Sequence, residues 1–385
     1  MSIFQFITDE LEKIKEQGLF RSLKGIDEVK GSRIKIDGKK LINFCSNNYL
    51  GLANNPRVTK KASEVLKKFG AGSGASRLVS GNLRVHEELE HRIAKFEGAE
   101  AAIIFPTGYM ANIGTIQALV GAGDAVVIDR LNHASIIDGA RLSGAKMLVY
   151  AHRDMDQLEK VLKTASALKK KLIVTDYVFS MDGDIAPLDE LTEIAKRNNA
   201  MLMIDTAHST GVMELKVQDA RLKTDIIIMG TLSKAIGSLG GFIAGSGQLI
   251  EYLRNKARAF IYTTALPPAV AAASIASFDI IENDDSLRKK LWKNVEYLKK
   301  KLEPLGLNTL DSKTQIVPIM IGDARKTMEA SNYLYLSGIF LSAIRPPTVP
   351  QGTSRLRLTV TAMHTKEDID LLIEKLAEVK EKFNG

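Results

Sequence analysis

Residues 200–241 read AMLMIDTAHSTGVMELKVQDARLKTDIIIMGTLSKAIGSLGG, and two short apolar runs within them decide the fold. The runs AMLMID and TDIIIMG are almost continuously apolar, which is typical of strands buried on both faces of a sheet. Parallel strands need a crossover connection, and the residues between the two runs are numerous enough for one. The stretch therefore predicts two strands of a mainly parallel sheet.

The chain outside this stretch repeats the same pattern, with helical segments between short apolar runs. Alternation of this kind is the signature of an α/β fold whose sheet is covered by helices on both sides. We therefore predict a large three-layer α/β/α domain with a mainly parallel seven-stranded sheet. The five further strand candidates are AAIIFP (101–106), DAVVIDR (124–130), KMLVYA (146–151), KLIVTDYVF (171–179) and GGFIAG (240–245).

Pattern changes along the chain divide it into three parts. Residues 1–50 are predicted to form an arm with one amphipathic helix and short strands, and residues 51–275 the large domain. Residues 276–385 are predicted to form a small α+β domain. Its elements are a long helix over 273–306, strands at TQIVPIMIG, GIFLSAI and SRLRLTV, and a last helix with Thr365 as its cap and Asp368 three residues on.

Composition limits the class of protein. The formal net charge is +8, but lysines alternate with glutamates along helical segments, so an anionic small molecule is a better ligand candidate than nucleic acid. No apolar run approaches the length of a membrane span, and the first residues lack the basic and apolar regions of a signal peptide. The single cysteine, Cys45, allows no intrachain disulfide and favours a cytoplasmic protein.

Polar residues at the carboxyl ends of the predicted strands are the candidate site, because ligands of open α/β sheets bind there. Lys234 follows one strand, and Asp205 ends another, three residues before His208. Taken separately, the lysine could reach out to water, and the aspartate could cap a helix or pair with an arginine. Together they match a Schiff-base lysine and a carboxylate that keeps a cofactor's pyridine nitrogen protonated.

Two further strand ends carry candidate cofactor contacts. Thr107, Gly108 and Tyr109 open a helix, where free backbone amides bind phosphate well, although an ordinary strand-to-helix turn explains them equally. His133 could stack on a flat ring, or it could cap the helix beginning at Ser135.

Competing motifs are incomplete. The stretch GAGSGAS has Ala75 where a dinucleotide-binding loop needs its third glycine, and it follows a helix. His86 and His91 are five residues apart, whereas zinc-binding histidines on a helix are four apart. We therefore predict no metal site.

The chain resembles the α-oxoamine synthase family of fold-type-I enzymes, which depend on pyridoxal 5′-phosphate (PLP). The resemblance covers nearly the whole chain and is carried by several segments in the same order. The resemblance implies a PLP-dependent acyltransferase, and the last matching segment resembles the members that serve biotin synthesis. The segments are NFCSNNYLGL, GAGSGASRLVSGN, HEELE, RLNHASIIDGARLS, VFSMDGDIAPL, GTLSKAIGSLGGF, FIYTTALPP and AIRPPTVPQGTSRLRLTVTAMH.

The resemblance implies a cofactor role for each matching residue. Lys234 would carry PLP covalently, Asp205 would pair with its ring nitrogen, and His208 would bond its phenolic oxygen. His133 would stack on the ring and act with these three as the catalytic set, with Ser180 close beside. The phosphate contacts would be Gly108, Tyr109 and Thr231, with Thr263 or Thr264 reaching the phosphate held by the neighbouring subunit of a homodimer.

Substrate contacts are expected in the small domain and the arm. The strand Arg355–Thr359 alternates, so inward leucines would aim Arg357 at a cavity to clamp an amino-acid carboxylate, with Asn47 assisting, while Arg355 is expected on a solvated face. Arg21, Arg345 and Thr348 would face the acyl donor, and either arginine could meet a distal carboxylate on the acyl chain.

The implied substrates are L-alanine and pimeloyl thioester, on coenzyme A or a carrier protein. The alternative is a sibling reaction, either that of glycine with acetyl-CoA or that of another α-oxoamine synthase. A non-catalytic protein on the same fold would be expected to lack the lysine.

Three departures from the family pattern bear on the substrate. Thr206 stands where the family usually has an acid, and Asp176 and Tyr177 replace Glu-Gly. A bulkier Tyr177 is expected to narrow the acyl pocket. The chain also lacks the family's glycine-rich loop after GVMELKVQD.

Overall fold

A computed structural model describes residues 3–215 and 226–383 of the chain. The predicted loss of the glycine-rich loop falls partly on residues 216–225, which lie outside the described residues. In chain order the helices are α1 (Gln5–Glu16), α2 (Pro56–Phe69), α3 (Arg84–Glu97), α4 (Gly108–Leu119), α5 (Ala134–Ser143), α6 (Met155–Thr164), α7 (Leu188–Arg197), α8 (Gly247–Lys256), α9 (Arg258–Ile261), α10 (Pro268–Asn283), α11 (Ser286–Leu302), α12 (Ala324–Leu336) and α13 (Lys366–Phe383).

The strands lie in three sheets. In chain order they are β1 (Glu28–Lys30), β2 (Arg33–Ile36), β3 (Lys39–Asn43), β4 (Ala101–Phe105), β5 (Ala125–Asp129), β6 (Lys146–Tyr150), β7 (Lys171–Asp176), β8 (Met201–Asp205), β9 (Ile226–Thr231), β10 (Gly241–Gly245), β11 (Ile316–Gly322), β12 (Ile339–Phe340), β13 (Ala343–Ile344) and β14 (Ser354–Thr359).

By internal packing the chain divides into two compact units. The first comprises residues 1–49, 181–183 and 289–385, and the second comprises residues 50–180 and 184–288. The division of the sequence at residues 50 and 275 stays a prediction.

The second unit contains the seven-stranded sheet, in the order β4-β10-β9-β8-β7-β5-β6. Strand β10 runs antiparallel to both of its neighbours, and the other pairs are parallel. All seven predicted strands and the mainly parallel sheet are confirmed. Six of the strands are buried along most of their length, whereas the edge strand β6 is buried only at Tyr150. Val126, Val174, Met203 and Ile227 of the central strands belong to one apolar core cluster.

Register brings the polar strand ends to one edge of this sheet. Asp176 at the end of β7 lies opposite Asp205 at the end of β8, and Asp205 lies opposite Met229 of β9. Lys234 follows three residues after Thr231, where β9 ends. The order of the strands therefore gathers residues that are far apart in the sequence.

The first unit contains two small sheets. One has the order β1-β2-β3-β12 and the other the order β11-β14-β13. The single strand predicted at GIFLSAI is wrong, because β12 pairs with β3 while β13 pairs with β14. The cap of α13 is confirmed, since Thr365 and Asp368 exchange backbone-to-side-chain hydrogen bonds of 3.1 and 3.2 Å.

The long helix predicted over residues 273–306 is also wrong, because it is two helices. α10 ends at Asn283, and Asp284 has extended backbone angles. The Asp284 carboxylate accepts the amide of Ser286 at 2.8 Å, which satisfies a donor at the start of α11. None of the helices in residues 3–215 and 226–383 combines the length and the apolar character needed to cross a membrane.

Candidate active site

A cavity of about 250 Å³ lies at the carboxyl edge of the large sheet, within the second unit; we call it the strand-end cavity. It brings together seven of the residues predicted to contact the cofactor: Gly108, Tyr109, His133, Asp205, His208, Thr231 and Lys234. Its other lining residues are Thr107, Asn112, Ser135, Asp176, Ala207, Met229, Ser233 and Leu239.

Lys234 enters this cavity from a tight loop after β9. Its Nζ lies 2.9 Å from His208 Nε2. The loop is closed by hydrogen bonds from Leu232 to Gly240 and from Ser238 to Leu232. Gly237 has a φ of +71°, and a Cβ there would lie 2.3 Å from the amide nitrogen of Ala53, so only glycine fits.

Asp205 is buried and held at both carboxylate oxygens. Oδ1 accepts the amide of Ala207 at 2.9 Å, and Oδ2 accepts the side-chain amide of Asn112 at 2.8 Å. Asn112 Oδ1 is buried and has no hydrogen-bond partner among the residues that the structure describes. The Asn112 amide group also donates to Ser135 Oγ at 2.9 Å, so two acceptors fix its orientation.

His133 caps α5 and lines the cavity. Its Nδ1 accepts the backbone amide of Ser135 at 3.3 Å, so the alternative role as a helix cap is realised. Burial lowers the pKa of His133, the Asp205 carboxylate raises it, and the Lys234 amine lowers it. The net shift is downward, which favours a neutral imidazole ring at physiological pH, and a flat neutral ring can stack on an aromatic ligand.

Asp176 is a cavity residue whose role the sequence did not reveal. Its Oδ2 accepts the amide of His133 at 2.9 Å and the side-chain amide of Asn132 at 3.1 Å. Burial and the neighbouring Asp205 carboxylate raise the pKa of Asp176 well above its ordinary value. In the sequence, the one indication of a role for Asp176 is that it departs from the family pattern at that position.

The start of α4 offers an anion site. Thr107 caps the helix by accepting the amide of Met110 at 3.1 Å, and the amides of Gly108 and Tyr109 make no hydrogen bond within the described residues. A Cβ on Gly241 would lie 2.6 Å from the Cα of Gly108, so β10 can approach this closely only because residue 241 is glycine. These amides and the positive end of the helix suit a phosphate.

Three predicted cofactor residues are not among the residues that line the strand-end cavity. Ser180 and Thr263 are half-buried, and Thr264 is exposed and pairs with Ser76 in an isolated bridge. The threonines were assigned to a neighbouring subunit, so their role stays a prediction, as does that of Ser180.

The predicted substrate residues lie in the first unit, in two groups. In one, the buried Arg357 donates to Asn47 Oδ1 at 3.3 Å and to Thr359 Oγ1 at 3.1 Å. The prediction that Arg355 lies on a solvated face is wrong, because its guanidinium is buried and paired with Asp182. Burial of Leu356 and Leu358 is as expected from the alternation.

The second group surrounds a cavity of about 560 Å³ in the first unit, which we call the arm cavity. Arg345 donates to the carbonyls of Gly18 and Phe20, and Arg21 donates to the carbonyl of Pro346 at 3.2 Å. Neither arginine pairs with a carboxylate in the described residues. Thr348 is exposed and is not among the lining residues. The apolar lining includes Phe20, Leu23, Met328, Tyr335, Phe340 and Leu341.

The family model described as aminotransferase class I and II matches residues 39–376. The chain belongs to the class I and II aminotransferase family. It is 46% identical over 385 residues to the 8-amino-7-oxononanoate synthase of Thermoanaerobacter pseudethanolicus, covering 98% of each chain. It is 49% identical over 386 residues to that of Citrifermentans bemidjiense, covering 98% of this chain and 99% of the relative.

Solved structures of two enzymes share the fold. Serine palmitoyltransferase of Sphingomonas wittichii superposes with a TM-score of 0.92 at 31% identity, over 100% of this chain and 98% of the other. The 8-amino-7-oxononanoate synthase of Francisella tularensis superposes with a TM-score of 0.76 at 29% identity, over 89% and 99%. These matches confirm the predictions of the family, of fold type I and of a PLP-dependent acyl-transferring enzyme.

Two departures from the α-oxoamine synthase pattern are buried beside the site. Thr206 donates its hydroxyl to the carbonyl of Met229 at 2.8 Å, and its hydroxyl oxygen also lies 2.8 Å from Thr210 Oγ1. The amide of Tyr177 donates to the carbonyl of Asp205 at 2.8 Å. Tyr177 is not among the residues lining the strand-end cavity, so its effect on the acyl pocket stays a prediction.

Proposed function

We propose that this enzyme condenses L-alanine with a pimeloyl thioester to give 8-amino-7-oxononanoate, with release of the thiol and of carbon dioxide. The observation that carries the proposal is the strand-end cavity, where the Lys234 amine, the fixed Asp205 carboxylate, the His133 ring and the free amides of α4 converge. The amine suits the aldehyde of PLP, and the carboxylate suits its pyridine nitrogen. The imidazole ring suits the face of the PLP ring, and the amides of α4 suit the phosphate. The shared name of the relatives supports the substrates.

When bound, PLP supplies an electron sink that stabilises negative charge on the amino acid's Cα. In this proposal Asp205 holds the proton on the pyridine nitrogen, because both of its oxygens are already oriented by Ala207 and Asn112. Lys234 removes and later returns the Cα proton at its Nζ, as a general base and acid. His208, 2.9 Å away, orients that amine.

Binding of the two substrates is proposed for the first unit. Arg357, already oriented by Asn47 and Thr359, would hold the alanine carboxylate through two parallel hydrogen bonds. The arm cavity combines an apolar lining with Arg21 and Arg345, which suits an acyl chain that ends in a carboxylate. An acetyl group has no such carboxylate, so the arm cavity favours the pimeloyl donor over the glycine and acetyl-CoA reaction.

The proposal includes a cytoplasmic homodimer with Thr263 or Thr264 serving the partner's phosphate. Tyr262 precedes Thr263, and Leu78 and Val79 follow Ser76, which pairs with Thr264; all three apolar side chains are exposed, which supports a subunit contact at this place. Either coenzyme A or a carrier protein can present the thioester in this scheme. We expect purified protein to sediment at twice the mass of one chain.

The experiment that tests the function is a panel of amino acids and acyl-CoA donors on purified enzyme, with release of free thiol as the readout. Alanine with pimeloyl-CoA should give the highest kcat/KM. A preference for glycine with acetyl-CoA would contradict the proposal. Lys234→Ala should abolish both turnover and the visible absorbance of the lysine-bound cofactor, whereas the exposed Lys160→Ala should change neither.

A further inference from the structure

A half-buried histidine outside the strand-end cavity bridges two carboxylates. His152 lies in the turn after β6, and its Nδ1 is 3.0 Å from Asp129 Oδ1, at the end of β5. Its Nε2 is 2.7 Å from Asp184 Oδ2. The exposed fractions of the three side chains are 19%, 1% and 6%, so little water separates these charges.

The bridge requires a protonated ring. A neutral imidazole has one donor and one acceptor, whereas here both nitrogens face carboxylate oxygens. Burial alone would lower the pKa of His152, but the hydrogen bonds to Asp129 and Asp184 raise it to about 9. Arg153 is the other cation beside the bridge, with Nη1 3.1 Å from Asp184 Oδ2, so two cations balance two carboxylates.

The first carboxylate supports the segment that leads to His133. Asp129 Oδ1 accepts the amide of Leu131 at 2.8 Å, and the Asp129 carbonyl accepts the amide of Asn132 at 3.1 Å. His133 comes next and is held from the other side by Asp176. The orientation of Asp129 therefore helps to set the position of His133, whose ring lines the strand-end cavity.

The second carboxylate, that of Asp184, belongs to a residue that holds the segment after β7 in place. The Asp184 carbonyl accepts the amide of Phe179 at 3.1 Å, next to Ser180. The ring of Phe179 packs edge-on against the ring of His152, with 4.4 Å between centroids. His152 thus links the ends of β5 and β6 to the segment after β7.

We infer that His152 is a positioning residue of the reaction, which fixes the His133 segment by bridging Asp129 and Asp184. It touches neither substrate nor cofactor and acts through Asp129. The activity part of this inference rests on the proposed function. Loss of the bridge should release Asp129 from one side and let the His133 ring tilt against the cofactor.

The test compares His152→Asn with His91→Asn, a matched change at an exposed histidine of α3. We expect His152→Asn to lower kcat by about 10-fold, because small misplacements of a positioned group are costly, with KM for the acyl donor changed less than about twofold. The visible circular dichroism of bound PLP should change, since it reports the asymmetry around the ring. Wild-type kcat and dichroism in His152→Asn would overturn the inference.

A second variant keeps the test decisive if His152→Asn fails to fold. Asp184→Asn preserves the shape of the bridge but removes one carboxylate. The titration midpoint of His152 should therefore fall toward the ordinary value near 6.5. The dichroism band of bound PLP should also change. Nitrogen NMR of the holoenzyme should show both His152 ring nitrogens protonated at pH 8. A neutral ring at pH 8 would overturn the inference even if the enzyme proves to use other substrates.

Discussion

Asp205 shows how a single side chain is prepared before any cofactor arrives. Its two oxygens are fixed by Ala207 and by Asn112, and Asn112 comes from α4, one helical turn after Gly108. The same helix therefore offers the phosphate site and orients the acid beneath the ring. Preorganised groups of this kind lose little energy to rearrangement during a reaction.

Asp205→Asn should lower kcat by at least about 100-fold, because an amide cannot hold the proton on the pyridine nitrogen. Turnover of alanine with pimeloyl-CoA and the amount of bound PLP are the measurements. The exposed Asp156→Asn on α6 is the matched control. Turnover of Asp205→Asn within a few-fold of wild type would refute the role given to this carboxylate.

Arg345→Gln should raise KM for pimeloyl-CoA by about 10-fold, through loss of a charged hydrogen bond to the distal carboxylate. KM for heptanoyl-CoA, which has the same chain length without that carboxylate, should change much less. Arg57→Gln, at an exposed position of α2, controls for the lost positive charge. Equal effects on both donors would place the distal carboxylate elsewhere.

At the scale of elements, sequence patterns predicted the large sheet well and the small sheets poorly. Strands such as β8 and β9 are apolar runs of five and six residues, which are too short for a typical buried helix and therefore favour buried strands. The helix predicted across residues 273–306 broke at Asp284 because an aspartate side chain can satisfy the amides of a new helix start. The run GIFLSAI was divided between two sheets, which depends on tertiary partners that periodicity does not record.

The site residues, too, could be predicted only where a local sequence pattern marks them. Lys234 and Asp205 could be found from the sequence because each stands at a strand end. Asn112 could not be assigned, because an asparagine inside a helix has many ordinary uses. Asp176 could not be assigned either, because the predicted strand over residues 171–179 continues past it, whereas β7 ends at Asp176. Only the strand order shows that Asp176 lies opposite Asp205.

Thr107→Ala should remove the cap of α4 and lower the free energy of unfolding by about 1 kcal/mol, as measured by urea denaturation. Affinity for PLP should fall as well, since the capped turn presents the amides of Gly108 and Tyr109. Thr107→Ser keeps the hydroxyl and should restore both values. Unchanged stability in the alanine variant would show that the cap bond contributes nothing net.

For the whole molecule, the buried His364 and the half-buried His152 give the stability of the fold opposite dependences on pH. His364 stacks on Phe44, with 4.1 Å between ring centroids, and burial lowers its pKa to about 4. Below its ordinary value near 6.5 the unfolded chain binds the proton more readily, so stability falls as the pH drops from about 6.5 to 4. His152, whose pKa is raised to about 9, stabilises the fold fully below about 6.5 and loses that contribution as the pH rises to 9.

Urea unfolding measured from pH 4 to 10 should therefore show greatest stability near pH 6.5. Each histidine should account for about 3 kcal/mol across its range, from 1.36 kcal/mol per pKa unit. His152→Asn should flatten the alkaline side alone, and His364→Gln the acidic side alone. Asp176, whose pKa is also raised, keeps its own contribution in this variant, so an alkaline decline as steep in His152→Asn as in the wild type would contradict the assignment to His152.

The missing side chain at Gly241 has a consequence for engineering. That glycine sits on the one antiparallel strand of the large sheet and lies directly behind the turn that is proposed to grip the phosphate. Gene libraries aimed at altered cofactor retention usually randomise residues that touch the ligand, and residue 241 would escape such a design. Adding a single methyl group there would push the start of α4 outward. The affinity for the phosphate can therefore be changed from a position that is not among the residues lining the strand-end cavity.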